Sequence, residues 1–261
     1  AWFIIVACAA TLHVAGRTEI RDAADAALAL RPLAGEYAYL LFAAGLFNAS
    51  LFAATNTLAV EGIADLFYLE IMSGLLAGKG RPGLSRLWTI TPAGGAAKLA
   101  AFAALLASAG TAGVAGKAAS AARKLAVLMD LQSAEPQAAE TLFKTKLLAR
   151  NRVLTFAGYT GGREPDIEDM FDVDFYLRLV NEEYRLLDIG PVHALTLPPG
   201  GRILRRLENH FAQHPLAPHD GFRRDRPARH LARNLDLLAP AISPATYARF
   251  ETLFEQLNKM L

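Results

Sequence analysis

The sequence predicts an α/β fold, a parallel sheet flanked by helices, because short apolar strands alternate with helical stretches along its middle part. Thr57–Val60 is the first strand, and apolar residues at helical spacing over 63–76 predict the helix that follows it. Leu87–Thr91 is the second strand, and an alanine-rich helix spans about 96–109. Parallel strands need long crossover connections, so this alternation favours a parallel sheet over an antiparallel one.

Two further strands complete the predicted sheet. Leu125–Met129, with the sequence LAVLM, is the clearest strand and is followed directly by Asp130. A helix over about 134–148 then leads to the strand Arg152–Ala157. From residue 171 onward the pattern is mainly helical, which predicts a helical C-terminal tail. Prolines break that tail at four positions: Pro191, Pro198, Pro199 and Pro240.

The start of the chain is more apolar than the rest. Residues 1–16 carry no charge, and residues 37–60 form a second uncharged run of 24 residues. A helix of that second length is sufficient to cross a bilayer core of about 30 Å. The sequence therefore predicts three parts: a hydrophobic helical hairpin over 1–55, an α/β domain over 56–175 and a basic helical region over 176–261.

Composition excludes several classes of protein. The chain has 261 residues, of which 53% are hydrophobic and 20% charged, and this composition is far from that of disordered proteins. Its single cysteine, Cys8, excludes a disulfide framework and a zinc site built from several cysteines. We therefore expect a cytoplasmic location, with membrane association through residues 1–60 if the apolar hairpin inserts.

Carboxylate side chains follow three of the predicted strands. They are Glu61 with Asp65 one helical turn later, Asp130, and then Asp166, Glu168 and Asp169 in the loop after the last strand. Because the carboxyl ends of parallel strands meet at one edge of the sheet, these side chains are expected to converge. Hard oxygen ligands of this kind hold Mg²⁺ or Mn²⁺, which predicts a metal site. The alternative interpretation is that they are ordinary acids at helix N-termini, where the helix dipole favours them.

Four stretches, in this order along the chain, resemble the motifs of a known family: VEGIADLFYLEIMSGLL, LWTITPAGG, LAVLMD and PDIEDMFDVDFYLRLVNEEY. Through them, residues 57–261 resemble the Toprim nuclease half of the overcoming-lysogenization-defect (OLD) type ATP-dependent endonucleases. The resemblance implies a Toprim-like parallel sheet and metal-dependent hydrolysis of DNA phosphodiester bonds. It also implies that Glu61 is the acid/base glutamate and Asp130 the first metal-binding aspartate, with residues 166–169 completing the acidic cluster.

The chain departs from that family in two respects. Toprim proteins usually carry Asp-x-Asp, whereas here Gln132 stands two residues after Asp130. The ATPase half is absent, since the chain has no G-x-x-x-x-G-K-[ST] phosphate loop. The nuclease interpretation therefore includes a separate ATPase subunit as a partner, and its alternative is an inactive remnant that folds without catalysing a reaction.

The first part of the chain resembles a different family. FIIVACAATLH and then DAADAALALRPLAGEYAYLLFAAGLFNASLFAAT are similar to two successive transmembrane helices of NRAMP-type divalent-metal transporters. The resemblance covers residues 1–55, and the join near residues 52–57 indicates a fusion or a fragment. It implies an alternative function for the whole chain, a piece of a metal ion membrane transporter that carries a soluble passenger.

Arginines concentrated in the last third of the chain predict contact with the DNA backbone. Residues 202–233 hold eight arginines against three acids, an excess suited to phosphate contact without base readout. The alternative is a solvated helical face. The candidate nucleic-acid-binding residues are Arg202, Arg205, Arg206, Arg223, Arg224, Arg226 and Arg229.

Overall fold

The computed structural model describes most of the chain from residue 56 onward. The described residues are 56–95, 98–99, 101–102, 124–130, 150–162, 164–186, 190–216 and 221–261. The chain divides into two compact units, Ala1–Ala54 and Thr55–Leu261. The predicted hairpin over 1–55 and the predicted helix over 134–148 lie outside the described residues. The account below therefore concerns the second unit.

Four parallel strands form the sheet, which confirms the predicted α/β class. They are β1 (Asn56–Val60), β2 (Trp88–Pro92), β3 (Leu125–Met129) and β4 (Val153–Thr155). Their order across the sheet is β2-β1-β3-β4, so β1 pairs with β2 on one side and with β3 on the other. The chain thus leaves β1 toward one edge of the sheet and returns to build the opposite side.

Both faces of the sheet are covered, as parallel sheets require. Along β1, Leu58 and Val60 face the larger core, where they meet Tyr68 and Met72 of the following helix. Ala59 faces the opposite side with Val127 and Leu99. Because both faces are covered, LAVLM is apolar along its whole length and β1 is apolar from Leu58 to Val60.

Helices flank the sheet and build the C-terminal part. Their bounds are α1 Ile63–Gly78, α2 Ala157–Thr160, α3 Val173–Glu183, α4 Ile203–Gln213, α5 Asp225–Arg233, α6 Leu235–Leu238 and α7 Pro244–Asn258. Short 3₁₀ turns lie at Arg150–Arg152, Ile167–Met170 and Ala239–Ala241. Among these described helices, none has the length and apolar character needed to cross a membrane.

The fourth strand is shorter than the sequence predicts. A strand over Arg152–Ala157 was expected, but only Val153–Thr155 pairs with β3. The chain is a 3₁₀ turn up to Arg152 and enters α2 at Ala157, where Phe156 is the N-cap and is buried. Apolar content alone does not distinguish a strand from a buried turn, and this explains the difference.

Helix α7, near the C-terminal end of the sequence, packs against β2 and the segment before it. The Trp88 indole Nε1–H donates a hydrogen bond to the Leu257 carbonyl at 3.2 Å. The Asn258 side chain accepts from the Ser85 amide at 2.8 Å and donates to the Gly83 carbonyl at 2.9 Å. Phe250 and Phe254 of α7 are fully buried in the larger core. The predicted boundary between residues 175 and 176 falls within α3, in the same compact unit as the sheet and α7.

Candidate functional site

The strand order creates a switch point between β1 and β3, because the chain passes from β1 to β2 on one side and from β3 to β4 on the other. Open α/β sheets bind ligands in the crevice outside the strand ends at such a point. Glu61 directly follows β1 and Asp130 directly follows β3. The two residues contact each other, since the Asp130 amide donates to Glu61 Oε1 at 2.8 Å. Both side chains are buried.

The loop after β2 supports Glu61 from the other side. The amides of Gly94 and Gly95 donate to the Glu61 carbonyl at 2.9 and 2.8 Å. Their φ angles of +84° and +124° lie in the region that side chains other than glycine rarely adopt. The Gly94-Gly95 pair is therefore needed to wrap this turn around the end of β1.

Asp65 lies in the first turn of α1 and caps that helix. Its Oδ2 accepts from the Gly62 amide at 2.7 Å, and its Oδ1 lies 3.6 Å from Nη2 of Arg224. The side chain is almost completely buried. The helix N-terminal role considered from the sequence is therefore real, and the second carboxylate oxygen faces the site in addition.

The 3₁₀ turn Ile167–Met170 supplies the remaining acids. Asp166 and Glu168 are both 0% exposed. Asp169 behaves differently, because its Oδ2 accepts from the Asp166 amide at 2.9 Å and its Oδ1 accepts from the Ile203 amide at 3.0 Å. Both Asp169 oxygens thus brace the backbone between this turn and α4. We define the acidic site as Glu61, Asp65, Asp130, Asp166 and Glu168.

The guanidinium of Arg224 lies within the acidic site. It forms a two-point ion pair with Glu168, at 3.2 Å from Nε to Oε1 and 3.1 Å from Nη2 to Oε2. Its Nη1 also donates to Asp130 Oδ2 at 3.2 Å. Burial by itself lowers the pKa of Arg224, but the charges of Glu168, Asp130 and Asp65 outweigh burial and raise it. The sequence places Arg224 with the DNA-binding arginines and gives no sign of this position.

A second arginine contacts the same site from α4. Arg202 Nη1 donates to Asp166 Oδ1 at 2.9 Å. Even with both guanidinium groups present, three buried oxygens of the site have no hydrogen-bond partner among the described residues: Asp65 Oδ1, Asp130 Oδ1 and Asp166 Oδ2. Among the described residues, the carboxyl groups of Asp65, Asp130, Asp166 and Glu168 thus meet two guanidinium groups, which at full ionisation leaves these four acids with an excess of two negative charges.

Burial is the main influence on the pKa values of three acids in the site. The pKa of Glu168 is raised to about 7, because burial and then the charges of Asp166 and Asp65 outweigh the opposing effect of Arg224. Burial also raises the pKa of Asp130 well above its usual value and the pKa of Asp65. Perturbed carboxyl groups gathered at a strand-end crevice are typical of functional sites. Beneath them, burial first and then the Glu168 charge raise the pKa of the Tyr68 phenol, a neighbour that sequence reasoning missed.

Most of the predicted DNA-binding arginines are engaged within the fold. Arg226 pairs with Glu183 at 3.0 Å, and Arg206 donates to backbone carbonyls at residues 194 and 198. Arg223 and Arg229 both pair with Asp225, at 3.1 and 3.2 Å. Arg205 is exposed and makes no side-chain hydrogen bond or ion pair with the described residues. The described geometry therefore resembles a network between helices more closely than a continuous cationic face.

The carboxylates of the acidic site are arranged around the guanidinium of Arg224. Within the described ranges, no group of three or more His, Cys, Asp or Glu side chains is arranged as metal ligands. Gln132, Cys8 and the apolar run over 1–16 lie outside the described residues.

Comparison with known proteins gives one match. The family model of natural resistance-associated macrophage protein-like (Nramp) proteins matches residues 1–101. No curated protein matches the chain, and no solved structure matches it. The match supports the NRAMP-like resemblance of the first part, and none of the comparisons supports the resemblance of residues 57–261 to OLD nucleases. The matched range continues beyond the first compact unit through β1, α1 and β2.

Proposed function

We propose that residues 56–261 carry a Mg²⁺- or Mn²⁺-dependent phosphodiesterase site of the Toprim nuclease kind. The observation that supports this proposal is the acidic site, a group of buried carboxyl groups at the switch point of a parallel sheet. Three of its buried oxygens, on Asp65, Asp130 and Asp166, have no hydrogen-bond partner among the described residues. A purely structural cluster would be expected to satisfy its buried oxygens, because an unpartnered buried carboxylate is costly. The proposal rests on this geometry and on the resemblance of the sequence.

The chemistry of the acidic site fits a hard divalent cation. Its donors are carboxylate oxygens, which Mg²⁺ and Mn²⁺ prefer. The oxygens without a hydrogen-bond partner among the described residues, Asp65 Oδ1, Asp130 Oδ1 and Asp166 Oδ2, are available to a further cation. Asp130, Asp166 and Glu168 would hold the ion, with Asp65 beside them. When bound, the cation would supply an activated water and neutralise charge on the phosphate.

The other residues of the site take positioning or proton-transfer roles in this proposal. Glu61 holds the backbone turn at Asp130 and is placed to move a proton during hydrolysis. Asp169 acts on the backbone, since both of its oxygens accept from amides. DNA is the proposed substrate, and exposed Arg205 together with the outward-facing Arg223 and Arg229 would contact its phosphates. A separate ATPase subunit remains part of the proposal as a partner.

Plasmid cleavage by the full chain in Mn²⁺ tests this function. We expect metal-dependent nicking of supercoiled DNA, and we expect Glu61→Gln to lower its rate by about 10²–10⁴-fold, the usual contribution of a positioned proton-transfer group. Asp130→Asn should abolish nicking through loss of a cation ligand. The matched control is Glu255→Gln, an exposed acid on α7, which should retain the rate of the unmodified chain. Nicking that survives both site variants would contradict the proposal.

A second candidate function is favoured by the family match. Residues 1–101 match the Nramp family, and the comparisons support this interpretation better than they support a nuclease. In it, the first part is a piece of a divalent metal ion membrane transporter, with the metal as its cargo, and the α/β unit is a passenger. It predicts that the full chain stays with membranes during carbonate extraction and shows no metal-dependent cleavage. Release into the supernatant would contradict it, whereas a folded chain that does neither would indicate an inactive remnant.

A further inference from the structure

Arg224 enters the acidic site from the solvent side. Its side chain retains 31% of its exposure, whereas those of Asp65, Asp130 and Glu168 retain at most 2%. These three carboxylates come from α1, the end of β3 and the 3₁₀ turn, so they approach the guanidinium from three separate elements. A partly exposed cation above a buried ring of carboxylates has a direct route out of the site.

The backbone that carries Arg224 is anchored independently of the acidic site. The neighbouring Arg223 amide donates to the Tyr184 hydroxyl at 2.8 Å, and that hydroxyl lies 3.3 Å from the Arg223 carbonyl. Arg224 itself is the N-cap residue of α5, with φ −62° and ψ −25°. The guanidinium could therefore leave the carboxylates by rotation of side-chain bonds, without unfolding the start of α5.

The guanidinium fills the site incompletely. It reaches one oxygen of Asp130 and leaves Oδ1 without a hydrogen-bond partner, and the second oxygen of Asp166 is also unpartnered among the described residues. Both carboxyl groups are at least 98% buried, so water cannot readily compensate them. A single charge spread over a planar group is thus a partial substitute for a compact divalent ion at this position.

We propose that Arg224 occupies the place of the divalent cation in the metal-free protein and must be displaced when Mg²⁺ or Mn²⁺ binds. The inference deepens the proposed function and rests on it. Arg224 is then an internal competitor of the metal, and it sets the concentration of cation at which the site fills.

Binding of Mn²⁺ alone to the full chain tests the inference, by isothermal titration calorimetry without DNA. Arg224→Gln removes the competing charge and should bind Mn²⁺ at least about tenfold more tightly than the unmodified chain, because no charge-assisted pairs have to break first. Arg224→Lys keeps one charge without the two-point geometry and should fall between them. The matched control is Arg178→Gln, which removes an arginine from an exposed ion pair on α3 and should leave the affinity unchanged.

The outcomes separate the inference from the function beneath it. Equal or weaker Mn²⁺ binding by Arg224→Gln overturns the inference, while the proposed metal site stands if the unmodified chain binds Mn²⁺. Absence of Mn²⁺ binding by both folded proteins overturns the proposed function and the inference together. If Arg224→Gln does not fold, Arg224→Lys decides, and equal affinity of that variant and the unmodified chain overturns the inference.

Discussion

Glu168 combines complete burial with a two-point ion pair, and the balance between these effects determines its protonation near neutral pH. Burial raises its pKa from an ordinary value of 4.5 to about 7, although Arg224 lies beside it. Between these two values the folded protein binds more protons at Glu168 than the unfolded chain does. The contribution of Glu168 to stability is therefore fully present below about pH 4.5 and is lost as the pH rises through about 7.

Substitution of Glu168 by Gln makes this pH dependence measurable. We expect the free energy of unfolding of the unmodified chain, relative to Glu168→Gln, to fall by up to about 3 kcal/mol between pH 5 and pH 8. Urea unfolding followed by circular dichroism at four pH values in that range provides the measurement. Parallel pH profiles for the two proteins would show that Glu168 keeps an ordinary pKa in the folded state.

Single residues also show where sequence reasoning about the site succeeds and fails. Glu61 and Asp130 could be predicted because each directly follows a recognisable apolar strand, and strand ends of a parallel sheet share one edge. Arg224 could not be placed, because it lies 94 positions from Asp130 and reaches it through tertiary packing. The run of arginines around it is consistent with DNA contact, with a solvated face or with the ion pairs between helices that the structure contains.

At the scale of elements, continuous apolar runs predict the central strands well and the edges less well. The predicted first and third strands agree with β1 and β3 to within one residue, since both are buried on both faces. β4 is only three residues long and lies at an edge of the sheet, where a turn and a strand have similar composition. The attachment of α7 to the segment before β2 leaves no mark in the sequence, because Asn258 and Glu251 reach their partners Ser85 and Arg81 only through tertiary packing.

Asn258→Ala tests how strongly α7 is attached. The substitution removes one acceptor from the Ser85 amide and one donor from the Gly83 carbonyl, so we expect a loss of about 1–3 kcal/mol in the free energy of unfolding. Lys259→Ala, at the neighbouring position, should change it by no more than about 0.5 kcal/mol. Both are measured by urea unfolding, and equal stabilities of the two variants would indicate that the other contacts of α7, including the Trp88–Leu257 hydrogen bond and the Arg81–Glu251 ion pair, hold the helix without Asn258.

At the scale of the whole molecule, the described structure shortens the part of the second apolar run that could span a membrane. Residues 37–60 form that run in the sequence, but residues 56–60 are β1 in the centre of the sheet. In the transporter interpretation, residues 37–55 would have to provide the membrane span, and 19 residues at the rise of an α-helix would measure about 28 Å, close to the thickness of a bilayer core. A shortened span of this kind is sensitive to a charge at its centre.

Phe47→Arg places such a charge near the middle of residues 37–55. A central arginine opposes helix insertion by about 2.5–3.5 kcal/mol, so a smaller share of the full chain should remain in the membrane pellet after carbonate extraction. Phe47→Leu keeps the position apolar and should behave like the unmodified chain. If both variants remain in the pellet to the same extent, residues 37–55 do not provide the attachment.

The central position of β1 also has a consequence for how the chain folds during synthesis. β1 is the first of the described strands to be made, yet it is buried between two partners, and Met129 at the end of β3 lies 69 positions after Val60. At a synthesis rate of about 5–20 residues per second, one edge of β1 waits several seconds for its partner. An apolar strand with an open edge is prone to pair with other chains during that interval. Slow translation between β2 and β3 should therefore reduce the soluble yield more than slow translation after β4.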